Sequence, residues 1–157
     1  MKKRYFIYLL MLFCLIVTGC SNENYTKIGT SDFSIIIPEG YAQTEDDFDE
    51  DQIAYYHKDD QSIDFDVYQW EKGSDYTLEE EAEYFASQYN TTPQQIEING
   101  IVGMKYVSME EYEGHEYTVV NYMFEDEDSI IELCFWTVGS EEEYAAVQEI
   151  IKTIKKN

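Results

Sequence analysis

Three aspartates at alternate positions, Asp47, Asp49 and Asp51, lie in the acidic stretch 45–51. Carboxylate oxygens at that spacing suit Ca2+, a hard cation bound through oxygen. A helix–loop–helix calcium hand is excluded, because Gln52 stands where its loop turns on glycine and Lys58 where it needs a bidentate glutamate. Calcium on an irregular loop 45–51 is therefore the one cofactor to weigh, and otherwise none is expected. Two histidines are available, His57 and His115. His115 sits in the turn Glu113-Gly-His-Glu116, where one imidazole and its carboxylate neighbours fall short of the ligand set zinc requires. Nucleophilic catalysis lacks its parts: the sequence has no Gly-x-Ser-x-Gly elbow and no glycine-rich phosphate loop. Cys134, between Leu133 and Phe135, reads as a small core residue. A carboxylate pair for glycoside hydrolysis can be drawn from 33 acids, but spacing selects none. The aromatic group Tyr55, Tyr56, Tyr68 and Trp70 falls in one expected hairpin and marks the candidate contact surface, for protein or glycan. The same residue types also favour strands and cover sheets under helices.

A different chemistry is written at the N-terminus. Lys2, Lys3 and Arg4 precede an apolar run from Tyr5 to Val17, which closes on Thr18-Gly-Cys20. A basic start, an apolar centre and small residues before a cleavage point are the parts of a secretory signal. The run is too short to span a bilayer, which takes about 20 residues. Its ending resembles the lipobox of bacterial lipoproteins, in which the cysteine is lipidated and becomes the new N-terminus. The resemblance implies a signal peptide over 1–19 and a lipid, palmitate included, on Cys20. It implies a protein held on the outer, extracytoplasmic face of a bacterial plasma membrane. Two acyl chains on one cysteine suffice for stable anchoring. Residues 20–32 are polar and read as a tether of at most about 40 Å, with a single domain over 33–157.

The chain carries 33 acidic and ten basic residues, a formal charge of −23. Cleavage before Cys20 would remove three of the basic residues and none of the acidic ones. Such acidity excludes nucleic acid as a partner, since that affinity rests on Lys and Arg meeting phosphates. It equally excludes docking on anionic lipid through a basic patch. A basic envelope protein is the compatible partner, and a solvated, aggregation-resistant surface is the plainer reading of the same charge.

The elements that must position these residues follow from periodicity. Phe33–Ile37 and Ile53–His57 read as strands. From Ser62 to Trp70 the chain alternates, with Ile63, Phe65 and Val67 on one face and Asp64, Asp66 and Tyr68 on the other, the pattern of a half-buried antiparallel strand. Thr77 and Glu80 form a capping box ahead of a helix with Leu78, Ala82, Phe85 and Tyr89 on one face. Asn99-Gly100 between apolar runs signals a two-residue hairpin. Strands follow to Met109, over Glu116–Glu125 and over Ser129–Val138, the last apolar on both faces and therefore central. Ser140 and Glu143 box a final helix with the stripe Tyr144, Val147, Ile151 and Ile154, and Lys152, Lys155 and Lys156 suit its negative end. The expected fold is α+β: a mainly antiparallel sheet of six to seven strands, in the order three strands, helix, four strands, helix, flanked by two helices.

That order, the opening Phe33–Gly40 (FSIIIPEG), the Ile98-Asn-Gly-Ile101 hairpin and the ending Ile-Lys-Thr-Ile-Lys-Lys resemble the PsbP/Mog1/DcrB-like superfamily over about residues 28–156. The resemblance implies an antiparallel sheet flanked by helices and members that work mostly by binding proteins, with no shared catalytic residues. The expected function is thus a lipid-anchored, non-enzymatic binding or accessory lipoprotein. The alternatives are a calcium-responsive module using 45–51 and a small cell-envelope hydrolase.

Overall fold

The computed structural model describes residues 24–44, 50–58 and 63–157. In chain order its elements are β1 (Tyr25–Lys27), β2 (Phe33–Ile36), β3 (Ala42–Thr44), β4 (Gln52–His57), β5 (Asp64–Glu71), α1 (Leu78–Gln88), β6 (Gln94–Ile98), β7 (Ile101–Tyr112), β8 (His115–Asp126), β9 (Ser129–Thr137), α2 (Glu141–Ile151) and β10 (Lys155–Lys156). A seven-stranded antiparallel sheet runs β3-β4-β5-β9-β8-β7-β6, and a small antiparallel sheet runs β1-β2-β10. The fold is α+β, as the periodicity requires, and β9 is the middle strand.

Local chemistry accounts for the boundaries. Thr77 Oγ1 accepts the Glu80 N–H at 3.2 Å, while Glu80 accepts the Thr77 N–H at 2.9 Å, closing the capping box of α1. Ser140 and Glu143 do the same for α2. Asn99 and Gly100 both take positive φ, 54° and 79°, the conformation of a tight hairpin turn whose twist matches its strands. Asn99 Nδ2 also donates to the carbonyls of Lys152 and Ile154, at 2.7 and 2.8 Å. The hairpin thereby satisfies carbonyl groups that the end of α2 leaves open.

Three expectations change. β2 lies in the small sheet, and its place in the large one is taken by β3 at the edge. The stretch expected as tether up to Asp32 contains β1 and buries Ile28 and Ser31, so the folded part begins by Tyr25. Helix α2 stops at Ile151, and Lys155 and Lys156 pair with β2 instead of lying at its negative end. Strands of two to four residues hold too few alternations to leave a periodic signal, which is why β1, β3 and β10 were not foreseen.

The large sheet has two unlike faces. Because side chains alternate along a strand and directly paired residues share a face, Phe65, Val67, Leu133, Phe135, Val120 and Tyr122 point the same way. They form the main core with Phe33 and Ile35 of β2 and with Val147 and Ile151 of α2. On the opposite face Ala82 and Ala86 of α1 pack on Met104, Tyr106, Met123 and Ile130, with Trp70 and Phe85 at the rim. Helix α1 lies chiefly over β7 and β8. The β4-β5-β9 side of this face therefore has no main helix contact.

Gly103 of β7 lies opposite Phe124. A Cβ there would stand 2.7 Å from the Met123 carbonyl oxygen and 2.7 Å from the Phe124 ring, which is fully buried. Neither neighbour can retreat without disturbing the ladder or the core. Gly103→Ala should lower unfolding stability by about 1–3 kcal/mol, the usual cost of overpacking. Urea denaturation measures it, and an unchanged midpoint would contradict the packing.

Candidate functional site

The second face of β5 and β9 carries polar and aromatic side chains where a core would carry aliphatics. Pairing sets Asp64 opposite Trp136, Asp66 opposite Cys134, Tyr68 opposite Glu132, and Trp70 opposite Ile130. Beside α1 this surface sinks into a cavity of about 550 Å³ walled by Tyr68, Trp70, Phe85, Tyr89, Tyr106 and Trp136, with Glu132 and Cys134 in its lining. A second cavity of about 540 Å³ shares Tyr68 and Trp136 with the first and continues over Tyr55, Asp64, Asp66, Tyr112 and Tyr117. The two make one groove across the part of the face that α1 leaves uncovered.

Two carboxylates in the groove are buried. Asp66 is 7% exposed and Glu132 6% exposed. Asp66 Oδ2 accepts the Trp136 indole N–H at 2.6 Å, and Oδ1 accepts Gln52 Nε2 at 2.5 Å. Glu132 Oε1 accepts the Tyr106 hydroxyl at 2.7 Å. Burial outweighs these hydrogen bonds and pushes Asp66 up to about 6 and Glu132 up to about 7. Burial also pushes the Cys134 thiol well up, with the Glu132 charge adding to it. A thiol held in its neutral form is a poor nucleophile. Tyr55 Oη donates to Asp64 Oδ2 at 2.9 Å, and burial followed by that bond holds its phenol strongly protonated. Among the described residues no lysine, arginine or histidine lines either cavity.

The structure sorts the residues singled out from the sequence. Tyr55, Tyr68 and Trp70 line the groove. Tyr56 does not: it pairs with Phe65, faces the main core and stacks on that ring at 4.7 Å, which removes it from any contact surface. Asp47 and Asp49 lie outside the described residues, and Asp51 is exposed at the edge of the first cavity. Among the described residues no three His, Cys, Asp or Glu side chains come together as a metal site. Cys20 also lies outside the described residues. His57 stacks on Tyr55 at 5.7 Å, with Nδ1 3.1 Å from Thr44 Oγ1, and His115 sits exposed at the β7–β8 turn; neither imidazole lines either cavity.

Sequence reasoning placed Asp66 on the correct face but read the strand as half-buried, whereas Asp66 on its polar face is itself buried. It missed Glu132, Trp136, Tyr106 and Tyr117. One signal was present: Glu132 interrupts the run Ile130-Ile131 and Leu133-Cys134-Phe135, and an acid inside such a run is buried with its strand.

Two comparisons define the class of fold, which is PsbP-like. The solution structure of the cyanobacterial PsbP protein CyanoP from Synechocystis sp. PCC 6803 superposes with a TM-score of 0.61 at 13% identity, over 88% of this chain and 96% of that one. A crystal structure from Bacteroides thetaiotaomicron VPI-5482 superposes with a TM-score of 0.60 at 18% identity, over 86% of this chain and 49% of that one. This chain thus spans about half the length of the Bacteroides protein. No protein-family model and no curated protein matches the sequence. Among the described residues no helix is long and apolar enough to cross a membrane.

Proposed function

We propose that the protein is a non-catalytic binding domain, lipid-anchored through Cys20 on the outer face of a bacterial plasma membrane, that engages a basic envelope protein through the β4-β5-β9 groove. The observation that carries the reading is the groove itself. It holds aromatic walls and two buried carboxylates, and no cationic side chain among the described residues lines it. A buried carboxylate without a counter-charge costs stability once it ionises, so two of them in one groove argue for a partner that supplies the missing cation. The PsbP-like fold of the CyanoP neighbour is compatible with a binding role, as is the formal charge of −23.

The test is recovery of partners by the full-length lipidated chain from detergent-solubilised envelope. Wild type should retain a basic protein that Tyr68→Ala combined with Tyr117→Ala loses, in a salt-sensitive manner. Equal recovery by the groove variant contradicts the reading. The anchor is tested separately. Cys20→Ala should abolish incorporation of labelled palmitate and move the protein from the membrane fraction to the soluble fraction. Label and membrane retention in the variant would exclude lipidation at Cys20.

A second reading has one observation in its favour. Asp66 and Glu132 are diagonal neighbours on adjacent strands, both held toward the protonated form, and paired carboxyls serve glycoside hydrolysis. Turnover of envelope glycans that Glu132→Gln abolishes would favour this reading over pure binding.

A further inference from the structure

We infer that the second cavity of the groove is a lysine-ammonium pocket, in which the side chain of a lysine on the basic partner enters between Tyr55, Tyr68, Tyr112, Tyr117 and Trp136 and meets Asp66 at the floor. This rests on the proposed binding role and gives the contact its chemistry. The pocket is a formed cavity of about 540 Å³ with five aromatic side chains in its lining. Ring faces attract cations, and cages of several rings are the recurrent way proteins hold ammonium groups. Tyr117 and Trp136 already sit edge to face, with centroids 5.8 Å apart, which fixes one wall of the cage.

The charges complement the same guest. Asp64 and Asp66 both line the pocket, and among the described residues no basic side chain does. Four of the seven described lysines are engaged elsewhere: Lys72 with Glu125, Lys155 over the Tyr25 ring, Lys156 with Asp126 and Lys152 with Glu149. Burial has pushed Asp66 upward, which is the state an incoming cation would reverse.

The geometry also separates lysine from arginine. Each Asp66 oxygen already accepts one short hydrogen bond, from Gln52 and from Trp136. A guanidinium fork wants two parallel acceptors on one carboxylate, whereas an ammonium is a compact point charge that needs no such pair. The stem of a lysine is apolar and can lie along Tyr68 and Trp136 while the head reaches the acid.

The experiment titrates the full-length lipidated protein in detergent with a short single-lysine peptide at pH 7.5, read by tryptophan fluorescence and calorimetry. The same peptide acetylated on its lysine, its arginine counterpart and free choline serve as the other arms. Saturable binding of the lysine peptide is expected. Acetylation and Asp66→Asn should each weaken it by about tenfold or more, as when one member of a buried charge pair is removed. Tyr117→Ala, at the rim and away from the buried carboxylate, should weaken it too, and it carries the test if Asp66→Asn fails to fold. Equal binding of the acetylated or arginine peptide overturns the inference, as does tighter binding of choline. So does lysine binding that ignores both variants. A partner still lost on combined Tyr68→Ala and Tyr117→Ala substitution would then leave the binding role standing without the lysine assignment.

Discussion

Glu132→Gln is expected to make the protein more stable at pH 8 and to leave it almost unchanged at pH 5. Glu132 is buried on β9, and its carboxyl is raised from 4.5 to about 7, with burial as the leading cause. A raised carboxyl means that the folded chain holds the proton more tightly than the unfolded one. Its contribution is therefore fully present below the unfolded pKa and is lost as pH rises through the folded value. The window for Glu132 runs from about pH 4.5 to about pH 7, and Asp66, raised to about 6, gives a parallel loss that begins lower. A shift of this size corresponds to roughly 3 kcal/mol, at about 1.4 kcal/mol per unit. Glutamine keeps an oxygen to accept the Tyr106 hydroxyl and carries no charge to desolvate. A gain of roughly 2–3 kcal/mol at pH 8 follows. Wild type should itself be more stable at pH 5 than at pH 8. Urea unfolding of both proteins at the two pH values measures this, and a loss of stability at pH 8 in the variant would contradict it.

Phe65→Ala should have a larger effect of opposite sign, one residue away from Asp66. Phe65 is fully buried on the main-core face. Its ring packs on Tyr56 at 4.7 Å, Phe135 at 5.0 Å and Tyr41 at 5.7 Å. Truncating a buried phenylalanine costs about 3–5 kcal/mol, through lost transfer energy and the cavity left behind. That is a large part of the roughly 5–15 kcal/mol that holds a domain together. The midpoint of urea unfolding should fall steeply at every pH. Asp66→Asn should instead cost far less at pH 8, because Asp66 points to the opposite face of β5 and the loss of one of its two accepted hydrogen bonds is set against the removal of a buried charge. A stability change of the same sign and size for both would contradict the assignment of the two faces.

That contrast also marks how far the sequence could be read. Alternation over Ser62–Trp70 separated Phe65 from Asp66, and paired Asn99-Gly100 and the two capping boxes placed the hairpin and both helix starts. These are local signals, carried by residues within a turn or a strand of one another. What covers each face is not local. Helix α1 shelters Met104 and Met123 but leaves Asp66 and Trp136 to the groove, and only the packing of α1 on β7 and β8 decides that. Tyr56 was misread for the same reason. Its neighbour Tyr55 faces the groove, and the pairing of Tyr56 with Phe65 turns it into the core. Tyr117 and Tyr112 reach the site from β8 and β7, some 50 residues beyond Tyr68, a distance over which periodicity carries no register. Carbonyls just past the end of α2 are taken up by Asn99, a side chain from another element, and that contact could not be read from the lysines that follow.

The proposed binding role places the meeting of the anchored protein and its partner at the groove. The most direct test is photo-cross-linking in living cells of the native bacterium. A photoreactive phenylalanine analogue replaces Tyr117, at the groove, or Tyr76, an exposed aromatic just ahead of α1 and outside both cavities. Position 117 should give one discrete adduct with a basic envelope protein, lost on Asp66→Asn substitution, and position 76 no such adduct. No adduct from position 117, or the same adducts from both positions, would contradict it.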